Sequence, residues 1–177
     1  MDALVIALVV AGSYYATTLA LWAGHWFSHL SWSPLRGFHL SGHHAFYPTS
    51  HAMRSAAFRY GAGRSSSLHA LLPWLLAETA IVWALLPTER FAVWLTTTGF
   101  VTATMNYVHT EFHLLEPRLE RFAWFATARR RHALHHDRDV NFMVADHLWD
   151  RVFGTYGDDD RSAFHHHRYH GDAAPAR

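Results

Sequence analysis

Three long apolar runs divide this chain, and histidines gather in the polar segments beside them. Ala3 to Ala23 holds no charged residue over 21 positions; as a helix it spans about 31 Å, the thickness of a bilayer's hydrocarbon core. Leu68 to Leu86 is a second run, broken only by Pro73 and Glu78, and Phe91 to Tyr107 is a third. The short turn Pro87-Thr88-Glu89-Arg90 between them predicts an antiparallel helical hairpin. Leu119 to Ala128 is apolar but short, which predicts an interfacial or re-entrant helix, with a shallow fourth crossing as the alternative. A secretory signal peptide competes for the first run, but that run lacks a basic flank, is too long, and leads directly into His25. The pattern therefore predicts an all-α integral membrane bundle of three transmembrane helices, or four if the short run crosses.

Arginines orient this bundle. Arg36, Arg54, Arg59 and Arg64 follow the first run and Arg118, Arg121 and Arg129 to Arg131 follow the third, whereas the opposite side holds Arg90 alone. Basic residues favour the cytoplasmic side, so three spans put the N-terminus outside and the histidine clusters and C-terminus in the cytoplasm, as a histidine-rich metal cap. Residues 1–157 are expected to form the membrane-embedded domain and 158–177 a polar C-terminal tail.

Ten of the seventeen histidines fall into four clusters: His25 with His29, His39 with His43 and His44, His109 with His113, and His132 with His135 and His136. Imidazole is the commonest borderline metal ligand, and two of them four residues apart on a helix share one face. His25 and His29 should extend the first helix and His109 and His113 the third. Ten imidazoles exceed the four to six donors one ion accepts, so two metals with about five nitrogens each is the natural arithmetic. The two halves also echo each other: an apolar run, a spaced histidine pair, then a histidine doublet.

Composition narrows the chemistry further. The chain of 177 residues has no cysteine, which excludes disulfides, thiolate metal sites, iron–sulfur clusters and cysteine nucleophiles. Its net charge is +1, so no nucleic-acid-sized basic surface is advertised. A zinc-peptidase reading fails on spacing, because Glu111 sits two positions after His109, on the far side of the helix, rather than directly after it. Glu78, inside the second run, needs an interior partner, either a ligand histidine or a structural polar contact. His51 and His147 are candidates to line the site or orient its ligands. His69 reads as interfacial, and His165, His166, His167 and His170 as a solvated end.

Together the clusters resemble the fatty acid hydroxylase and sterol desaturase superfamily of integral-membrane di-iron enzymes, with motif order matching across nearly the whole chain. His25 and His29 look like that family's first pair, His39 with His43 and His44 like its first His-x-x-His-His box, His109 and His113 like its third motif, and His132, His135 and His136 like its last. Asn141-Phe142 followed by Trp149-Asp150-Arg151-Val152-Phe153-Gly154-Thr155-Tyr156 is similar to its Asn-Tyr-Gly and Trp-Asp-x-x-Phe-Gly-Thr signature. Two departures stand out: three residues separate His39 from His43 where the family commonly has two, and Met143 replaces a usual glycine. The carotenoid hydroxylases of the same superfamily are similar in length and histidine order, but the tail leans toward the sterol desaturase branch.

The resemblance implies two iron ions, O2 as co-substrate, and hydroxylation or desaturation of an unactivated C–H bond in a lipid, whether fatty acyl, sterol or related. Zinc is expected to replace iron in purified protein, given the usual affinity order. Electrons must come from an external donor such as a ferredoxin or cytochrome b5. Glu111, Asp137, Asp139 and Asp146 are candidates to orient ligands through their second ring nitrogens, with Asn141 nearby. The rival from another class is a non-redox membrane metal carrier, which would place ligands along a path near the bilayer midplane.

Overall fold

In the computed structural model, which describes residues 2–44, 68–114 and 117–157, the described residues form helices and connecting turns without a strand. Helix α1 (Ala3–His29) is followed by a π-helical segment, Gly37–His44, then α2 (Leu68–Leu85), α3 (Thr88–Phe112), α4 (Ala123–Asp137) and the short α5 (Leu148–Val152). The side chains of residues 68–70 are outside the description, as are His51, the arginines at 54, 59 and 64, and the tail histidines.

Helix α1 starts on Asp2, whose side chain accepts from the Leu4 amide at 3.0 Å, a normal N-cap. It runs without a break through the apolar run and on through His25 and His29, as the spacing predicted. Its buried positions include Ser13, Thr17, Thr18, Gly24 and Ser28, while Leu4, Ile6, Leu8 and Val10 are exposed. This reverses the pattern of a water-soluble helix and matches helices packed in lipid, where small residues line the contact and apolar ones face outward. Gly24 shows why: a Cβ there would lie 2.6 Å from the Trp74 ring of α2.

The predicted hairpin forms, but its turn is shorter than expected. α2 ends at Leu85 and Pro87 caps α3, so Thr88, Glu89 and Arg90 already belong to the first turn of α3. Proline suits that position because its missing N–H has no helical partner there. Among the described helices α1 is long and apolar enough by itself to cross a membrane; the apolar part of α2 is the shorter Leu71–Leu85. Both α2 and α3 nevertheless expose large apolar side chains, among them Leu76, Ile81, Trp83, Leu95 and Phe100.

The short run 119–128 does not form one helix. Its first part is a set of turns, and α4 begins at Ala123 and continues through the arginines to Asp137. Phe125, fully buried against Phe112 and Val108, draws this helix onto the end of α3. The buried Glu111 carboxylate accepts from the Leu119 amide at 3.2 Å and closes the intervening bend. Segment 141–157 folds back along α1, with Trp22, Phe142 and Met143 forming a second core.

Candidate metal centre

Four elements converge on one buried volume. α1 contributes His25 and His29, the π-helical segment His39, His43 and His44, α3 and its C-cap His109 and His113, and α4 His132, His135 and His136. Nine of these rings sort into two groups whose ligand nitrogens lie within 4.8 Å of one another: His25, His29, His39, His44 and His135 in one, and His43, His109, His113 and His132 in the other. The tenth, His136, joins them, with its Nε2 3.2 Å from that of His132 and its ring stacked at 4.3 Å on His44.

The first group shows how the rings are aimed. His25 Nδ1 donates to the Phe142 carbonyl and His135 Nδ1 to the Val140 carbonyl at 2.8 Å, while His29 Nδ1 lies 2.8 Å from the Asp139 carboxylate. A carbonyl only accepts, so Nδ1 of His25 and His135 carries the proton and Nε2 keeps a bare lone pair. Those nitrogens point at other imidazoles: His25 Nε2 is 2.9 Å from His39 Nε2, and His39 and His135 each place Nε2 3.1 Å from His44 Nε2. In the second group His113 and His132 approach to 3.1 Å. Two nitrogens held about 2.1 Å from one ion and at right angles are about 3.0 Å apart, so these spacings are those of a ligand set. His29 Nε2 is buried without a hydrogen-bond partner among the described residues, a cost that a cation removes. The donor set therefore fits a metal ion.

Burial away from water holds His39, His43, His44, His132 and His135 below the ordinary histidine range, and the neighbouring imidazoles push in the same direction. All five are neutral at physiological pH, the form that binds metal.

The π-helical turn explains the long gap after His39. Hydrogen bonding to the fifth residue puts more than four residues in each turn, so positions four and five on flank the first as positions three and four do in an α-helix. His39 thus meets His44 across 3.1 Å despite the extra residue, and sits buried with His43.

The other candidates divide differently. Glu78 makes a structural contact, reaching Thr17 at 3.4 Å beside the Thr17–Thr98 pair at 2.9 Å, where α1, α2 and α3 meet. Asn141, at φ 54°, spends its amide on backbone: Nδ2 donates to Gly157 at 2.9 Å and Oδ1 accepts from its amide at 3.0 Å. His147 donates to Asp150 at 3.0 Å. Asp146 takes the Tyr14 hydroxyl at 2.6 Å and the Leu148 amide.

Two kinds of group carry more than the sequence reading assigned them. Backbone carbonyls at 140 and 142, which no side-chain pattern can reveal, aim two of the histidines. Asp150, fully buried, accepts from the Phe142 and Met143 amides, Trp22 Nε1, Thr155 Oγ1 and His147 Nδ1. It thereby fixes the strand of backbone that holds His25. Its place in the Trp-Asp signature was the available signal.

No protein-family model matches the chain, and no curated protein or solved structure matches it significantly.

Proposed function

We propose that the protein is a membrane-bound, metal-dependent oxygenase, and more particularly a di-iron enzyme that hydroxylates or desaturates an unactivated C–H bond of a lipid. The observation that carries this reading is the pair of buried nitrogen-only groups, built from neutral imidazoles at one end of helices with apolar outer faces. His25, His29, His39, His44 and His135 would hold one ion, and His43, His109, His113 and His132, with His136, the other. Two irons bound there supply activation of O2 and removal of hydrogen from the lipid.

The chain's own residues do the rest. Asp139 and the carbonyls of Val140 and Phe142 keep three rings in the tautomer that presents Nε2. Phe112 and Phe142 pack against the rings, with Phe125 behind Phe112, and this apolar backing would exclude water. In hydroxylation one oxygen atom enters the C–H bond and the other leaves as water, with two electrons from an external donor and two protons. In desaturation both oxygen atoms leave as water, the substrate giving up two hydrogens and the external donor again supplying two electrons, with two protons. α1, α2 and α3 would cross the bilayer, with the histidines on the arginine-rich cytoplasmic side. A lipid substrate suits a site at the membrane surface, whereas a carrier needs ligands along a path through it.

The test is expression in bacteria grown with iron, with metal per chain measured and extracted lipids compared with those from strains carrying His113→Ala or His136→Ala. Two metals per chain and a lipid one oxygen heavier, or two hydrogens lighter, lost in both variants, is the expected result. Full activity in either variant would overturn the placement of the site.

A further inference from the structure

A pocket opens between α1, α2 and α3 directly beside the histidine cluster. It is lined by Leu21, Leu71, Met105, Phe142, Met143 and Val144, and is open on one side. One histidine from each nitrogen group, His25 and His109, also lines it, so both groups border the same space. Two further polar residues, Thr102 and Asn106, face it from α3. They are four residues apart and so lie on one side of that helix.

Thr102 differs from the other threonines buried or half-buried in these helices. Thr79, Thr96, Thr97 and Thr110 each return their hydroxyl to the carbonyl four residues earlier, and Thr98 pairs with Thr17. The Thr102 hydroxyl is buried with no hydrogen-bond partner among the described residues. An unmade bond of this kind costs free energy until something supplies it.

We infer that the pocket takes an apolar molecule carrying one hydrogen-bonding oxygen, held by Thr102 and Asn106 while its hydrocarbon reaches His25 and His109. Thr102 and His109 are seven positions apart, about 10 Å along the helix, which sets the distance from that oxygen to the carbon presented to the metals. The inference rests on the proposed oxygenase reading for its purpose, but its test needs no turnover.

The protein is purified in detergent with zinc, its metal content is measured, and binding of tritiated 1-hexadecanol is compared with that of tritiated hexadecane. The alcohol should bind about tenfold more tightly, one hydrogen bond's worth. Thr102→Val keeps the shape and removes the hydroxyl; it should erase most of that preference while hexadecane affinity and zinc content stay unchanged. Asn106→Leu should reduce it in the same way. Equal affinity for the two probes, a preference that survives both substitutions, or binding of neither probe by metal-loaded protein would each overturn the inference. Failure of the oxygenase reading is a separate result, seen as missing metal or unchanged lipids in the expression experiment.

Discussion

The rings of His43 and His44, adjacent in sequence, lie 5.6 Å apart at 83° to each other and serve different nitrogen groups. His135 and His136, at 88°, repeat the arrangement on α4. A histidine doublet on a helix sends its two rings in different directions, so each doublet can reach both groups at once. Each spaced pair instead keeps to one: His25 and His29 to the first group, His109 and His113 to the second.

That division predicts how metal is lost. His29→Ala should empty the first group and leave the second, lowering metal from two ions per chain toward one, and His109→Ala should do the reverse. His29→Ala with His109→Ala should bind none. Elemental analysis of purified variants reads this directly; unaltered stoichiometry in both single variants would contradict the two-group arrangement.

The π-helical turn predicts that one residue is dispensable. Deleting the exposed Ser41 converts the spacing of His39, His43 and His44 to three and four residues, which an α-helix aligns as the π turn aligns four and five. The shortened chain should keep its full metal content, whereas His39→Ala should not. Complete loss of metal on deleting Ser41 would refute the equivalence.

Asp150 should matter more than its distance from any metal suggests. Asp150→Ala strands the amides of Phe142 and Met143 and the Trp22 indole, which should cost at least about 3 kcal/mol. A lowered thermal midpoint in detergent, together with weaker metal binding through His25, is the expected pair of results. Asp139→Ala, at an exposed carboxylate on the same segment, should weaken metal binding with little change in midpoint.

Gly24 packs α1 against α2 one residue before a proposed ligand. Gly24→Ala forces its methyl toward the Trp74 ring, 2.6 Å away, and should destabilise the protein by about 1–3 kcal/mol. Adding Trp74→Leu to the same chain should recover part of that loss in the thermal midpoint.

Acid should unfold the metal-free protein in a predictable direction. The folded state holds His39, His43, His132 and His135 below the ordinary value of 6.5, so as pH falls through 6.5 the unfolded chain takes up protons that the folded chain refuses. Stability of chelator-treated protein should be level above that pH and fall steadily below it. A midpoint that rises on acidification would contradict the burial of neutral rings.

Much of the helical frame was legible because its signals are local. The uncharged run 3–23 and the histidine pair beyond it required one continuous helix, and α1 is that helix. Proline and polar residues at 87–90 marked the hairpin, and the four-residue spacing of His109 and His113 put both rings on one face. Reading 119–128 as a unit failed because hydropathy does not register Phe125 docking on Phe112, which decides where α4 begins. Glu78 could be required to find a partner, but nothing local said that Thr17 would be that partner.

By itself the amino-acid sequence determined that this protein is helical and carries ten histidines spaced to act in pairs, because helix periodicity and ligand type are properties of neighbouring residues. The tertiary structure alone decided which ring joins which group, since His39 meets His25 and His44 meets His135 only when α1, the π turn and α4 are packed together. It alone also decided what holds the rings in place, because the carbonyls of Val140 and Phe142 belong to the backbone, are the same in every residue, and acquire their direction from the fold.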